Sequence, residues 1–108
     1  MEHINKVELQ GCVGAIRLNN ISGRKMINFS LRTEHLHTTH LGENVMTATW
    51  HQVVAWQNVT KVDVESISKG DMVKVTGRLN NVSYRSATGE SIVMTEVLAN
   101  TLEMVESI

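Results

Sequence analysis

The sequence predicts an all-β fold: a five-stranded Greek-key barrel with one short helix between its third and fourth strands. Three observations predict it. Apolar and polar residues alternate with the period of two that a half-buried strand requires, most strictly from Ala48 to Trp56. Only one stretch, Asn58 to Ser68, has helical spacing, and it follows the third strand. Gly11 and Gly14 interrupt the first strand, as expected where a strand bends or bulges to serve both sides of a barrel. With 108 residues the chain fits one compact domain, 1–108, around one core.

The first strand runs from Asn5 to Leu18, with Val7, Leu9, Gly11 and Val13 on one face. Asn19-Asn20-Ile21-Ser22-Gly23 is a hairpin loop by composition. Lys25 to Arg32 is the second strand; Ile27, Phe29 and Leu31 face one way, and Met26, Asn28 and Ser30 the other. A polar loop from about His35 to Asn44 leads into the third strand, Val45 to Trp56. The helix follows, with Asp63 or Thr60 able to cap it and an apolar stripe of Val62, Val64 and Ile67. Lys69-Gly70-Asp71 turns the chain into a fourth strand, Met72 to Leu79, with Val73, Val75 and Leu79 inward. Asn80 to Glu90 is a second hairpin loop, carrying Tyr84, and Ser91 to Leu102 is the last strand. Three strands, a short helix and two strands form the element order of a partly open barrel of the OB-fold type.

The composition is globular, at 42% hydrophobic. No apolar run approaches the roughly 20 residues that a membrane span needs. Met1-Glu2-His3-Ile4-Asn5-Lys6 has no apolar leader segment, so the expected location is cytoplasmic. One cysteine, Cys12, excludes an internal disulfide and a cysteine-built zinc site; it is expected as a small buried hydrophobe. The net charge of −1 provides no global basic field, although Arg17, Arg24, Lys25 and Arg32 gather in the first third. Glu8, Glu34, Glu43 and Glu90 form no paired-carboxylate pattern, and neither a glycine-rich phosphate loop nor a nucleophile motif is present. The chain is therefore expected to be a binding protein without a cofactor, not an enzyme.

Trp50 and Trp56 make up half of the chain's four aromatics and share one face of the third strand with Ala48, Gln52 and Val54. Such residues normally fill a core. The alternative is an exposed platform for nucleic-acid bases, each stacked base contributing roughly 1–3 kcal/mol.

Several motifs resemble one family. They are Asn5-Lys6-Val7-x-Leu9-x-Gly11, Asn28-Phe29-Ser30-Leu31, Thr49-Trp50-His51-x-Val53, Lys69-Gly70-Asp71-x-Val73-x-Val75-x-Gly77-x-Leu79 and Thr95-Glu96-Val97. In this order and spacing, over about residues 4 to 105, the chain resembles the bacterial single-stranded DNA-binding proteins. The resemblance implies an oligomeric OB-fold that wraps single-stranded DNA by stacking bases on aromatics. It implies that Trp50 is the stacking tryptophan of the third strand, that Trp56 and Tyr84 occupy aromatic positions, and that His51 lies at a subunit contact. Two departures stand out. Where the family has a further aromatic, this chain has Leu36 between His35 and His37, so that platform is missing or replaced by imidazole. The family generally continues into a disordered tail with an acidic, Phe-tipped end, whereas this sequence stops at Met104-Val105-Glu106-Ser107-Ile108, so tail-dependent protein partners are not expected.

The candidate phosphate contacts are Arg17, Arg24, Lys25, Arg32, Lys74, Arg78 and Arg85. Arg85 ranks first because it adjoins Tyr84, and a cation beside an aromatic can grip phosphate and base together. Arg78, which should face outward from its strand, ranks next. His35-x-His37-x-x-His40 invites a metal reading. It has no cysteine, lacks a fourth ligand and has nothing to orient its rings, so no metal is expected and a polar loop touching DNA is the better account. The expected function is sequence-independent binding and protection of single-stranded DNA by a homotetramer, in replication, recombination or repair. The alternative is a dimeric primosomal accessory protein on the same fold, bridging replication-restart proteins and DNA. A purely structural interaction module would leave the two tryptophans unexplained.

Overall fold

The computed structural model describes residues 2–106; Met1, Ser107 and Ile108, on which the readings of the two termini partly rest, lie outside them. The strands are β1 (Val7–Ile21), β2 (Arg24–Thr38), β3 (Asn44–Trp56), β4 (Met72–Arg85) and β5 (Ser91–Met104), with a short 3-10 turn at Val64–Ser66. They close a barrel in the order β1-β2-β3-β5-β4, the OB-fold arrangement.

β1 makes the closure possible. Its first half pairs with β4, from Val7 opposite Gly77 to Cys12 opposite Met72. Its second half pairs with β2, from Cys12 opposite Arg32 to Ile21 opposite Arg24, and the register shifts between Val13 and Ile16. That irregularity is the bend expected at the glycines. A Cβ at Gly11 would run into the backbone carbonyl of Arg32, so the crossing strands need a bare residue there. A parallel pairing of β3 and β5, Val53 with Val97 and Val54 with Leu98, completes the ring.

The inward-facing residues are the ones the alternation selects. Ile27, Phe29, Leu31, Val53, Ala55, Val73 and Val75 are almost wholly buried in one core cluster. Val64 and Ile67 join it from the β3–β4 connection.

Four local expectations are corrected. The helix over Asn58 to Ser68 is only the turn Val64–Ser66, although Asp63 does cap it, its carboxylate accepting from the Glu65 amide at 3.0 Å. Val59, Thr60, Val62 and Val64 are β-branched and resist helical χ1. Gln57 instead fixes the segment, donating to the Val62 carbonyl at 3.0 Å and accepting from the Val64 amide at 2.8 Å. Second, the loops are shorter than composition implied. Ser22 and Gly23, with φ of 53° and 80°, make a two-residue turn of the I′ kind. β2 runs on to Thr38 and β4 to Arg85, forming with β3 and β5 two hairpin arms beyond the barrel. The β2 and β4 halves of these arms, from His35 and from Asn80, read as loop because a ribbon exposed on both faces shows no apolar alternation. Third, Leu79 has inward parity but is 48% exposed, since it lies where the β4–β5 arm leaves the barrel. Fourth, Cys12 is only half-buried. It has the parity of the outer surface and lines a shallow hollow with Gln10, Gly11, Arg32, Glu34 and Met72.

Candidate nucleic-acid interface

β2 and β3 together present one face to the barrel interior and one to the outside. On the outside, Trp50 lies opposite Arg32, Gln52 opposite Ser30, Val54 opposite Asn28, and Trp56 opposite Met26. The intervening Val53 and Ala55 are fully buried, so both indoles belong to the surface opposite the core. At about 3.4 Å per residue, the tryptophans are roughly 20 Å apart along the strand.

Their environments differ. Trp50 is 58% exposed and leans across β2 onto β1. A Cβ at Gly14 would sit 2.7 Å from the Trp50 ring atom Cζ3 and 2.6 Å from Ser30 Oγ. The missing side chain is what lets the ring settle there. Trp56 is half-buried, and the Arg24 guanidinium lies 5.1 Å from its ring centroid. One indole is open and the other carries a cation on its face. Beside Trp50, the β1 bulge leaves a hollow of about 330 Å³ lined by Ala15, Ile16, Arg17, Asn28, Phe29, Ser30 and Gln52.

Tyr84 is in β4 rather than in a loop, opposite Ile92, and its hydroxyl donates to Met94 Sδ at 2.9 Å. It has the parity of Arg78 and Val82. Through the pairs Arg78–Leu98 and Val54–Leu98, that is the outer surface that carries Trp50. Because β3 and β5 run parallel, both arms leave the barrel at the same end. Arg85 departs from expectation: as the next residue of a strand it points to the opposite face, so it does not share a side with Tyr84. Arg78 is exposed on Tyr84's side.

Three of the seven candidate cations already have partners: Lys25 with Glu65 at 2.8 Å, Arg32 with Glu34 at 3.3 Å and Lys74 with Glu8 at 3.5 Å. The Glu65 carboxylate, by hydrogen bond and then by charge, raises the pKa of Lys25 above the ordinary lysine value. Among the described residues, Arg17, Arg24, Arg78 and Arg85 have no carboxylate partner.

His35, His37 and His51 lie on the other side of the ribbon. His51 is half-buried opposite Leu31, its Nε2 2.9 Å from Thr33 Oγ1. His35 and His37 stack on each other at 6.1 Å between centroids. Their strand parity turns them away from the Trp50 face, so they do not replace the aromatic that Leu36 lacks. Leu36 itself shares the Trp50 face opposite Met46, both more than half exposed. No metal-ligating cluster exists among the described residues. Sequence reasoning missed the polar row Asn28, Ser30 and Gln52 and the seat at Gly14. The signal was present in part, since Gln52 shares the tryptophans' parity, but the approach of β1 was not readable.

The single-strand binding protein family model matches residues 4–105. Single-stranded DNA-binding protein 1 of Chlorobaculum tepidum is 30% identical over 94% of this chain and 64% of its own length. The single-stranded DNA-binding protein of Neisseria meningitidis is 25% identical over 94% of this chain and 59% of its own. The chain thus spans about three fifths of the length of these relatives. A chain of the Plasmodium falciparum SSB complex with ssDNA has a TM-score of 0.85 at 25% identity, covering 98% of each chain. The single-stranded DNA binding protein of Thermus aquaticus, as a deletion mutant, has a TM-score of 0.82 at 21% identity, over 95% of this chain and 51% of that one. Among the described residues, no helix is long and apolar enough to cross a membrane. With its motifs in order, its barrel matched and the model spanning almost its whole length, the chain belongs to the single-strand binding protein family.

Proposed function

We propose that this protein binds single-stranded DNA with little dependence on sequence, as one OB-fold unit over 1–108. Bases stack on Trp50, on Trp56 once Arg24 swings aside, and on Tyr84 of the second arm. Arg24, Arg78 and Arg85 meet phosphates, and Arg17 meets the nucleotide stacked on Trp50. Lys25, Arg32 and Lys74 contribute less, because each would have to leave a carboxylate. The protein acts by binding and not by catalysis, protecting exposed strands in the cytoplasm during replication, recombination or repair. It works as a homotetramer built from dimers, with His51 near a subunit contact. Family membership supports this reading.

One observation carries the proposal: an indole 58% exposed on the outer face, seated over a glycine and aligned with a second. A base laid on Trp50 desolvates both rings and quenches the emission. Stacking at roughly 1–3 kcal/mol per base means that Trp50→Ala weakens binding by about one to two decades while the fold stays intact. The test is a titration of tryptophan emission with poly(dT). Wild-type emission that ignores poly(dT), together with unchanged affinity of Trp50→Ala for a labelled strand, refutes the proposal.

A further inference from the structure

We propose that the hollow beside Trp50 is a subsite that favours keto bases, thymine and guanine, over the amino bases adenine and cytosine. The inference rests on the reading that single-stranded DNA crosses this face. A base stacked on Trp50 points its edge in the plane of the ring, toward the neighbouring side chains. Gln52 is two residues along the same strand face, about 7 Å away. Asn28 and Ser30 lie across from Val54 and Gln52, and Arg17 lies opposite Asn28 on β1. All four line the hollow.

Their hydrogen-bonding capacity is largely unspent. Asn28, Gln52 and Arg17 make no side-chain hydrogen bond or ion pair among the described residues. Ser30 Oγ accepts from the Ala15 amide at 2.9 Å, which leaves its O–H to donate. The two amides bring carbonyl acceptors as well as donors, which suits a base edge better than an all-acceptor phosphate. The amides rotate to match either kind of edge, but Arg17 only donates. Guanine offers O6 and N7 to a guanidinium, and thymine offers O4. On the edge that carries O6 and N7 in guanine, adenine keeps one acceptor, N7, with the N6 amino donor beside it, and cytosine presents only its N4 donor. Arg17 therefore sets the preference, and Asn28 and Gln52 complete the contacts.

The experiment measures anisotropy of short labelled oligo(dC) strands carrying one central dT, dG or dA. The wild type should bind the dT and dG strands about three- to tenfold more tightly than the dA strand or plain oligo(dC), a range around the low end of a good bidentate contact. Arg17→Gln should remove this preference, and Asn28→Ala with Gln52→Ala should weaken binding of every strand while the preference stays. Equal affinity of the wild type for all four strands overturns the inference. So does an Arg17→Gln loss that is the same on every strand, since Arg17 would then only grip phosphate. A wild type that binds no strand defeats the wider DNA-binding reading as well; one that binds every strand alike defeats only the subsite.

Discussion

At Gly14 the absence of a side chain lets the six-membered ring of Trp50 lie against β1, with Ser30 Oγ beside it. A methyl group there meets only the ends of two side chains, so the backbone can stay and the indole must lift. Gly14→Ala should therefore shift tryptophan emission and weaken DNA binding several-fold, at a stability cost of about 1–3 kcal/mol. Emission spectra and urea unfolding check this together; unchanged emission would show that the ring does not use that seat. Trp56 behaves differently because Arg24 already covers it. A residue's accessible area and its availability for stacking are separate quantities.

Elements are governed by where strands cross closely. The β4–β5 register shifts between Thr76 and Gly77, and a Cβ at Gly77 would run into the Leu98 backbone carbonyl, with Ala99 Cα 3.0 Å away. Neither neighbour can rotate away, unlike those of Gly14. Gly77→Ala should lower stability by about 3 kcal/mol or more. Gly42, with φ of 82° and nothing near its Cβ position, should cost only about 1–2 kcal/mol on the same change. Denaturant midpoints rank the two, and a Gly42 variant less stable than Gly77→Ala would contradict this ordering. The arms follow another rule. Their strands extend past the core because cross-strand hydrogen bonds continue without any apolar face to bury, as between His37 and Thr47 side chains at 3.4 Å.

For the whole molecule, charge and assembly are the measurable consequences. The net charge is −1, and Arg17, Arg24, Arg78 and Arg85 are the candidate cations without carboxylate partners among the described residues. At about −0.7 per neutralised phosphate, the log–log salt slope should be no steeper than about −3 per protomer. Appreciable binding should then survive at high salt; a collapse across moderate salt would mean that paired cations such as Arg32 open to join in. Assembly is read by light scattering. A homotetramer should appear at micromolar concentration, and His51→Glu should lower the mass by charging a half-buried contact. A wild-type monomer would overturn the assembly, and a stable dimer would favour the accessory replication role.

The sequence by itself determined what depends on local periodicity. Alternation put Ile27, Phe29, Leu31, Val73 and Val75 inside and both tryptophans on one face, and Gly11 and Gly14 marked the bend of β1. The barrel class followed, because the element order was that of a Greek-key barrel and each strand had one face to bury. Tertiary structure alone decided what depends on the partner across a strand. The arms carry no apolar pattern, so only pairing shows that Tyr84 is in a strand and that Arg85 faces away from it. Ion pairs between distant residues silence Lys25 and Lys74, and no spacing along the chain records them. The hollow beside Trp50 exists because a bulge in β1 meets the outer face of β2 and β3, three segments whose contact is set by closure of the barrel.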